Sequence, residues 1–255
     1  MLYDQIQEAV RFIRRRTDFA PAFGLVLGTG LGSLAEQIEV TATFDYLDIP
    51  HFPLATAPAH KGQLILGTLS GAQVVTMAGR FHYYEGHAMQ QVTFPIRVMK
   101  ALGAQRLVLS SAVGGLNPDY EIGDLVFIRD HINLMPENPL RGPNDERLGP
   151  RFPDMLHTYD PEMADLAMSL AASHDIRAHR GVLAAVAGPN LETPAEYAFL
   201  HRIGADLAGM SVVPEVLVAK HAGMKIFAAS VVTDLGYPPE AIRETSSADV
   251  IAAAS

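Results

Sequence analysis

Short apolar runs recur along the chain, and each stops abruptly at a glycine or a group of small polar residues. Residues 23–27 (FGLVL) lead into 28–33 (GTGLGS), residues 73–78 (QVVTMA) into 79–86 (GRFHYYEG), and residues 106–110 (RLVLS) into Gly114 and Gly115. Residues 181–186 and 225–232 read the same way, ahead of polar segments 187–192 and 233–235. Runs of this length bounded by turn residues predict buried strands. Residues 63–69 and 73–78 form two strands joined near Ser70 and Gly71, a hairpin signal, and 124–129 is a further strand. Between strands lie helical patterns: 2–17 with Ile6, Val10 and Ile13 on one face, 90–102 despite Pro95, 161–173, 193–202 with Thr193 and Pro194 at its start, and 214–221. Residues 132–155, rich in Pro, Asn and Gly, make a long irregular loop. The alternation, with no composition break, predicts one α/β domain: a central mixed β-sheet flanked by helices. Ligands of open α/β sheets bind beyond the carboxyl ends of strands, so 28–33, 79–85, 110–115, 187–192 and 233–235 are expected to converge.

Composition narrows the partners. With 255 residues, 49% of them hydrophobic, the chain can bury a substantial core. A net charge of −9 argues against a nucleic-acid surface. The basic cluster Arg14, Arg15 and Arg16, with Arg11 a turn earlier, ends the first helix and complements its dipole. There is no cysteine, hence neither disulfide nor thiolate metal site. The first residues lack signal-peptide character and no apolar run reaches membrane-spanning length, so a cytoplasmic protein is expected.

The chemistry concentrates in GRFHYYEG. A strand that ends in glycine and releases Arg80 and His82 can aim two donors at one small oxyanion such as phosphate. Glu85 can hold the tautomer of His82, and Tyr84 can lie beside a sugar; the alternative is a solvated loop with a surface ion pair. GTGLGS lacks the last glycine of a dinucleotide fingerprint and the lysine of a P-loop. It suits either backbone donors and the Thr29 hydroxyl facing phosphate or a tight strand-to-helix turn. The ten histidines include no pair at i, i+4, so no metal site is expected. Ser211 lacks the second glycine of a nucleophile elbow. Glu192 precedes a helix whose N-terminus favours a carboxylate, and Asp234 can simply begin a turn.

Taken together, these segments resemble the trimeric purine nucleoside phosphorylase family. Those carrying the resemblance include 28–32 (GTGLG), 60–62 (HKG), 79–86, 93–97 (TFPIR), 114–118 (GGLNP), 130–134 (DHINL), 138–147 (NPLRGPNDER), 151–153 (RFP), 187–193 (AGPNLET) and 209–215 (GMSVVPE). The resemblance implies one domain over 1–255 that stops inside the family's last helix, which is then either cut off or short, and reversible phosphorolysis of purine nucleosides to free base and ribose 1-phosphate. Phosphate is a co-substrate, and neither cofactor nor metal is needed. By matching position it implies phosphate contacts from Thr29, His60, Arg80, His82, Ser211 and the backbone at Ala112. Tyr84 and Met210 would contact ribose, with Phe152 lent to a neighbouring subunit of a homotrimer. Leu191, Glu192, Thr233 and Asp234 would surround the purine. Catalysis would rest on His82, Glu85 and Asp234.

The chain departs from the family at several positions. Asp234 stands where oxopurine-selective members usually carry asparagine. Two carboxylates near one base should raise one pKa. A protonated Asp234 can act as an acid at purine N7 for inosine or guanosine; an ionised one can accept from the 6-amino group of adenosine. Ser247 falls where a histidine often contacts the 5′-hydroxyl. Leu191 and Leu183 stand at positions that are often aromatic, so packing on the base and sugar is expected to be purely aliphatic there. These departures keep methylthioadenosine phosphorylase, an adenosine-accepting variant and a catalytically weak purine-binding paralogue as alternatives.

Overall fold

Ser70 and Gly71, both at positive φ, close the expected hairpin and set the register of the first half of the sheet. The computed structural model of the chain describes residues 1–29, 32–54 and 62–254. In chain order the elements are α1 (Leu2–Arg14), β1 (Phe23–Leu27), β2 (Glu39–Asp45), β3 (Gln63–Leu69), β4 (Ala72–Ala78), α2 (Met89–Leu102), β5 (Arg106–Gly115) and β6 (Leu125–Asn133). They continue with α3 (Pro161–Ser173), β7 (Ala178–Ala185), α4 (Pro194–Arg202), β8 (Leu207–Gly209), α5 (Val213–His221), β9 (Lys225–Leu235) and α6 (Ser247–Ala254).

Among the described residues the strands form one mixed sheet of nine, ordered β2-β3-β4-β1-β5-β8-β7-β6-β9, and β9 returns to pair with β5. The expected α/β domain is therefore present, with a feature that the strand pattern does not predict. The ring β5-β8-β7-β6-β9 closes on itself, and β4, β3 and β2 extend from it through β1 as an open wing. β5 makes this possible by its length. It pairs with β1 as far as Leu109, shifts register between Val113 and Gly114 against β9, and pairs with β8 at Gly114 and Gly115. A bulge adds twist and bends a strand, which lets one strand serve two sheet directions.

β2 and β8 escape the sequence pattern for different reasons. β2 is an edge strand, exposed at most positions and irregular near Val40, so no apolar face marks it. β8 has only three residues. α1 ends at Arg14, earlier than expected, because the Arg14 guanidinium folds back to donate to the carbonyls of Phe19 and Leu102. α2 accommodates Pro95 because Val92, Phe94, Ile96, Val98, Met99 and Leu102 are all buried, offsetting the lost backbone bond.

α4 begins as its sequence predicts. The Thr193 hydroxyl accepts from the Glu196 N–H, and the Glu196 carboxylate accepts from the Thr193 N–H at 2.7 Å. This reciprocal cap orients the helix next to Glu192. Thr193→Ala should lower stability by about 1 kcal/mol, seen as a lower urea midpoint at unchanged slope. An unchanged midpoint would mean that the cap contributes nothing here.

Candidate active site

β4, β1, β5 and β9 are neighbours or linked by parallel pairing, and their carboxyl ends open on one cleft. Four of the five segments expected to converge contribute wall residues through Gly28, Thr29, Arg80, His82, Tyr84 and Ser111 to Gly114, and then Thr233 and Asp234. The fifth, 187–192, supplies Leu191 and Glu192, and the turn after β8 supplies Met210 and Ser211.

Gly28 ends β1 at a point where the backbones nearly touch. A Cβ there would lie 2.5 Å from the carbonyl oxygen of Ser110, so only glycine fits. Its N–H donates to the Ser110 hydroxyl at 3.0 Å, which in turn donates to the Val26 carbonyl. The following residue, Thr29, thus turns into the cleft beside the end of β5.

The 79–86 segment is built by alternation. Phe81 is 1% exposed and packs at 5.0 Å between centroids on Tyr46, whose hydroxyl donates to the Gly79 carbonyl. With Phe81 turned into the core, its neighbours Arg80 and His82 face the cleft. Arg80 is itself buried: its guanidinium donates to the Ser110 carbonyl and pairs with Glu215 Oε1 at 2.8–2.9 Å. Glu215 lies in the first turn of α5, a partner 135 positions away that the sequence alone does not reveal. The expectation for Glu85 corresponds to a contact: its carboxylate lies 3.0 Å from His82 Nδ1 and accepts from the His82 N–H at 2.7 Å. His82 stacks on Tyr84, centroids 4.7 Å apart. Burial, then the Glu85 charge, raises the Tyr84 hydroxyl above the usual phenol range, which keeps it a neutral hydrogen-bonding group.

Ser211 reaches the wall through a strained turn. Val212 has φ +72° and ψ −59°, and the Val213 N–H donates to the Ser211 carbonyl at 2.9 Å. A β-branched residue in this γ-turn stores on the order of 1–3 kcal/mol. The turn stands at the amino end of α5, whose backbone dipole favours an anion.

The other side of β5 carries opposite charge. Glu192 and Asp234 both line the cleft, and burial raises each carboxyl above the usual carboxylate range. For Glu192 the nearby Asp234 charge adds to the rise, while its own N–H and Tyr197 oppose it. Thr233 Oγ1 lies 3.0 Å from Asp234 Oδ1 and 3.3 Å from the Val113 carbonyl. Tyr197 is the contributor that sequence reasoning missed. It is buried behind the wall, and burial, then the Glu192 and Asp234 charges, push its hydroxyl above the usual phenol range.

Four of the residues named from the sequence are not among the described wall residues. His60 falls outside the described residues. Phe152 is 85% exposed and is not part of this chain's cleft wall. Leu183 does not reach the ligand side at all: it is fully buried on β7, so only Leu191 gives the aliphatic contact. Ser247 begins α6 and is not on the wall, to which that helix contributes Val250 instead. Among the described residues no group of His, Asp and Glu has the disposition of a metal site, and no helix is long and apolar enough to cross a membrane.

Comparison with known proteins agrees with this architecture along the whole chain. A model of the phosphorylase superfamily matches residues 22–254. Purine nucleoside phosphorylase 1 of Bacillus subtilis (strain 168) is 50% identical over 231 residues, spanning 91% of this chain and 85% of its own. The Bos taurus purine nucleoside phosphorylase is 45% identical over 237 residues, with 91% and 82% covered. Isoform 2 of the Schistosoma mansoni enzyme, solved with cytosine and ribose-1-phosphate, superposes with a TM-score of 0.94 at 39% identity, covering 99% of this chain and 90% of that one. The chain belongs to the phosphorylase superfamily and, within it, to the purine nucleoside phosphorylases.

Proposed function

We propose that the protein catalyses the reversible phosphorolysis of purine nucleosides, giving the free base and ribose 1-phosphate. One observation carries this reading: a single cleft has cationic and hydroxyl donors on one side of β5 and two carboxylates on the other. The first side suits an oxyanion and the second the polar edge of a purine. In this reading Arg80, His82, Thr29, Ser211 and the Ala112 backbone hold phosphate, with His60 as a further contact. Tyr84 and Met210 face the ribose. Leu191, Glu192, Thr233 and Asp234 surround the base.

Phosphate oxygen bonds to the anomeric carbon as the bond from that carbon to purine N9 breaks, and the electron pair leaves with the purine. The ribosyl group is cationic at the transition state, so the phosphate charge stabilises it directly. Each charge-assisted hydrogen bond to phosphate contributes about 1.5–3 kcal/mol. Glu85 acts through His82 as a positioning residue. The departing base becomes a better leaving group if an acid meets it at N7, a task for which a neutral Asp234 is suited. Phe152, exposed on the irregular 134–155 segment, fits a residue lent to a neighbour in a homotrimer. A cytoplasmic location suits a chain with no cysteine.

The presence of Asp234 favours a second reading for the base, in which an ionised carboxylate accepts from a 6-amino group, as in adenosine or methylthioadenosine. The deciding measurement is base release from inosine, guanosine, adenosine and methylthioadenosine with and without phosphate. Release that requires phosphate is expected. Release without phosphate would make the protein a hydrolase, and tight base binding without turnover would make it a binding paralogue.

A further inference from the structure

One side chain outside the cleft touches both residues that flank Arg80. Tyr46 opens a single 3-10 turn, Tyr46–Asp48, directly after β2. Residues three apart share a face in such a turn. Tyr46 and Ile49 are accordingly both 2% exposed, while Leu47 between them is 75% exposed. The backbone fastens this turn to the end of β4. The Tyr46 N–H donates to the Gly62 carbonyl at 2.9 Å, and the Gly62 N–H donates to the Ala78 carbonyl at 3.2 Å. From this seat the Tyr46 ring packs on Phe81, centroids 5.0 Å apart, and its hydroxyl donates to the Gly79 carbonyl at 2.8 Å. Gly79 and Phe81 are the residues immediately before and after Arg80.

Each contact fixes something that the chain there leaves loose. Gly79 is buried and has φ +106°. Without a Cβ, a glycine can turn its peptide planes at little steric cost. Its carbonyl shares one rigid peptide plane with the Arg80 N–H, so the direction of that carbonyl is also the direction in which Arg80 leaves the strand. A buried carbonyl needs a donor, and the Tyr46 hydroxyl supplies one. One residue later, the ring contact keeps Phe81 in the core and so turns Arg80 and His82 to the cleft. Glu215 and the Ser110 carbonyl hold the far end of the Arg80 side chain. Tyr46 holds its root.

We infer that Tyr46 is a positioning residue for phosphate: by binding the Gly79 carbonyl and packing on Phe81 it fixes the backbone on either side of Arg80, so that Arg80 and His82 meet phosphate in one orientation. This rests on the phosphorylase reading given above and adds a residue outside the cleft wall on which phosphate use depends. Tyr46 lines no part of the cleft, so it acts only through its neighbours. Burial pushes its hydroxyl well above the usual phenol range, against the opposing Arg80 charge, so the group stays a donor at every working pH.

The test is Tyr46→Phe, which leaves the ring on Phe81 and on Phe52, 5.6 Å away, and deletes the one hydrogen bond. Phosphate and nucleoside are varied separately, each with the other saturating, using the nucleoside that releases base fastest. The temperature is one at which unfolding curves show the variant folded. kcat/KM for phosphate should fall about tenfold, part of the roughly hundredfold that a displacement of one ångström costs. KM for the nucleoside should stay unchanged. Phe81→Leu, which shortens the ring contact and keeps the hydroxyl bond, should shift the phosphate parameter the same way by less. Phe52→Leu is the control. It loosens the other contact of the Tyr46 ring and should lower the unfolding midpoint with phosphate kinetics unmoved. Wild-type phosphate kinetics in Tyr46→Phe and Phe81→Leu, or an equal loss on both substrates, would overturn the inference and leave the enzyme reading standing. The same loss of phosphate use in Phe52→Leu would trace the effect to loosened packing and also overturn it. Absence of phosphate-dependent base release by the wild-type protein would overturn the functional reading and the inference with it.

Discussion

Arg80→Met will lower kcat/KM for phosphate by about a hundred- to a thousandfold, the range seen when one principal donor to a transition-state anion is removed. It will also destabilise the fold. Arg80 and Glu215 are 1% and 3% exposed and pair at 2.8–2.9 Å, so removing the guanidinium leaves a carboxylate buried in the first turn of α5 without its counter-charge. Losing one partner of such a pair costs about 3–5 kcal/mol. The two losses separate in a double variant. Adding Glu215→Gln to Arg80→Met removes the orphaned charge, so stability returns in part while phosphate use does not. Thermal or urea unfolding beside steady-state kinetics at varied phosphate reads both. A single variant with wild-type phosphate kinetics would remove Arg80 from the phosphate site.

Phe81→Ala will cost about 3–5 kcal/mol, the usual loss for truncating a fully buried phenylalanine. The ring is packed on Tyr46 and on His87 and carries no polar group, so nothing replaces it. Activity should fall as well, although Phe81 does not line the cleft. The ring anchors the alternation that turns Arg80 and His82 outward, and an error of one ångström in positioning can cost about a hundredfold in rate. Phe81→Leu, which refills most of the volume, should recover most of the stability. Full activity in a destabilised Phe81→Ala protein would show that the Glu85–His82 and Glu215–Arg80 contacts hold the segment unaided.

Much of this site was legible because its chemistry sits in contiguous segments. The residues of GRFHYYEG and the glycine after β1 follow strands whose ends the apolar runs mark, while Thr233 and Asp234 fall within β9, which continues past its apolar run. The Thr193 cap was legible for the same reason, since its partners are three residues apart. The edge strand β2 was not, because exposure on both faces leaves no period to detect. Leu183 was assigned to the ligand side from position alone, but strand alternation turns its side chain into the core.

The groups that tune the site were hidden for a different reason. Glu215 and Arg80 are separated by 135 positions, and Thr233 and the Val113 carbonyl by 120. Tyr197 seats against Gly236 only because α4 packs across the end of β9. The sequence by itself determined which side chains stand at the ends of the strands, since a strand, a glycine and a polar run are set by neighbours along the chain. Only the tertiary structure decided which charges are paired and which carboxylates stand together in one cleft, because burial and proximity between distant segments arise when β5 bends and the ring of strands closes.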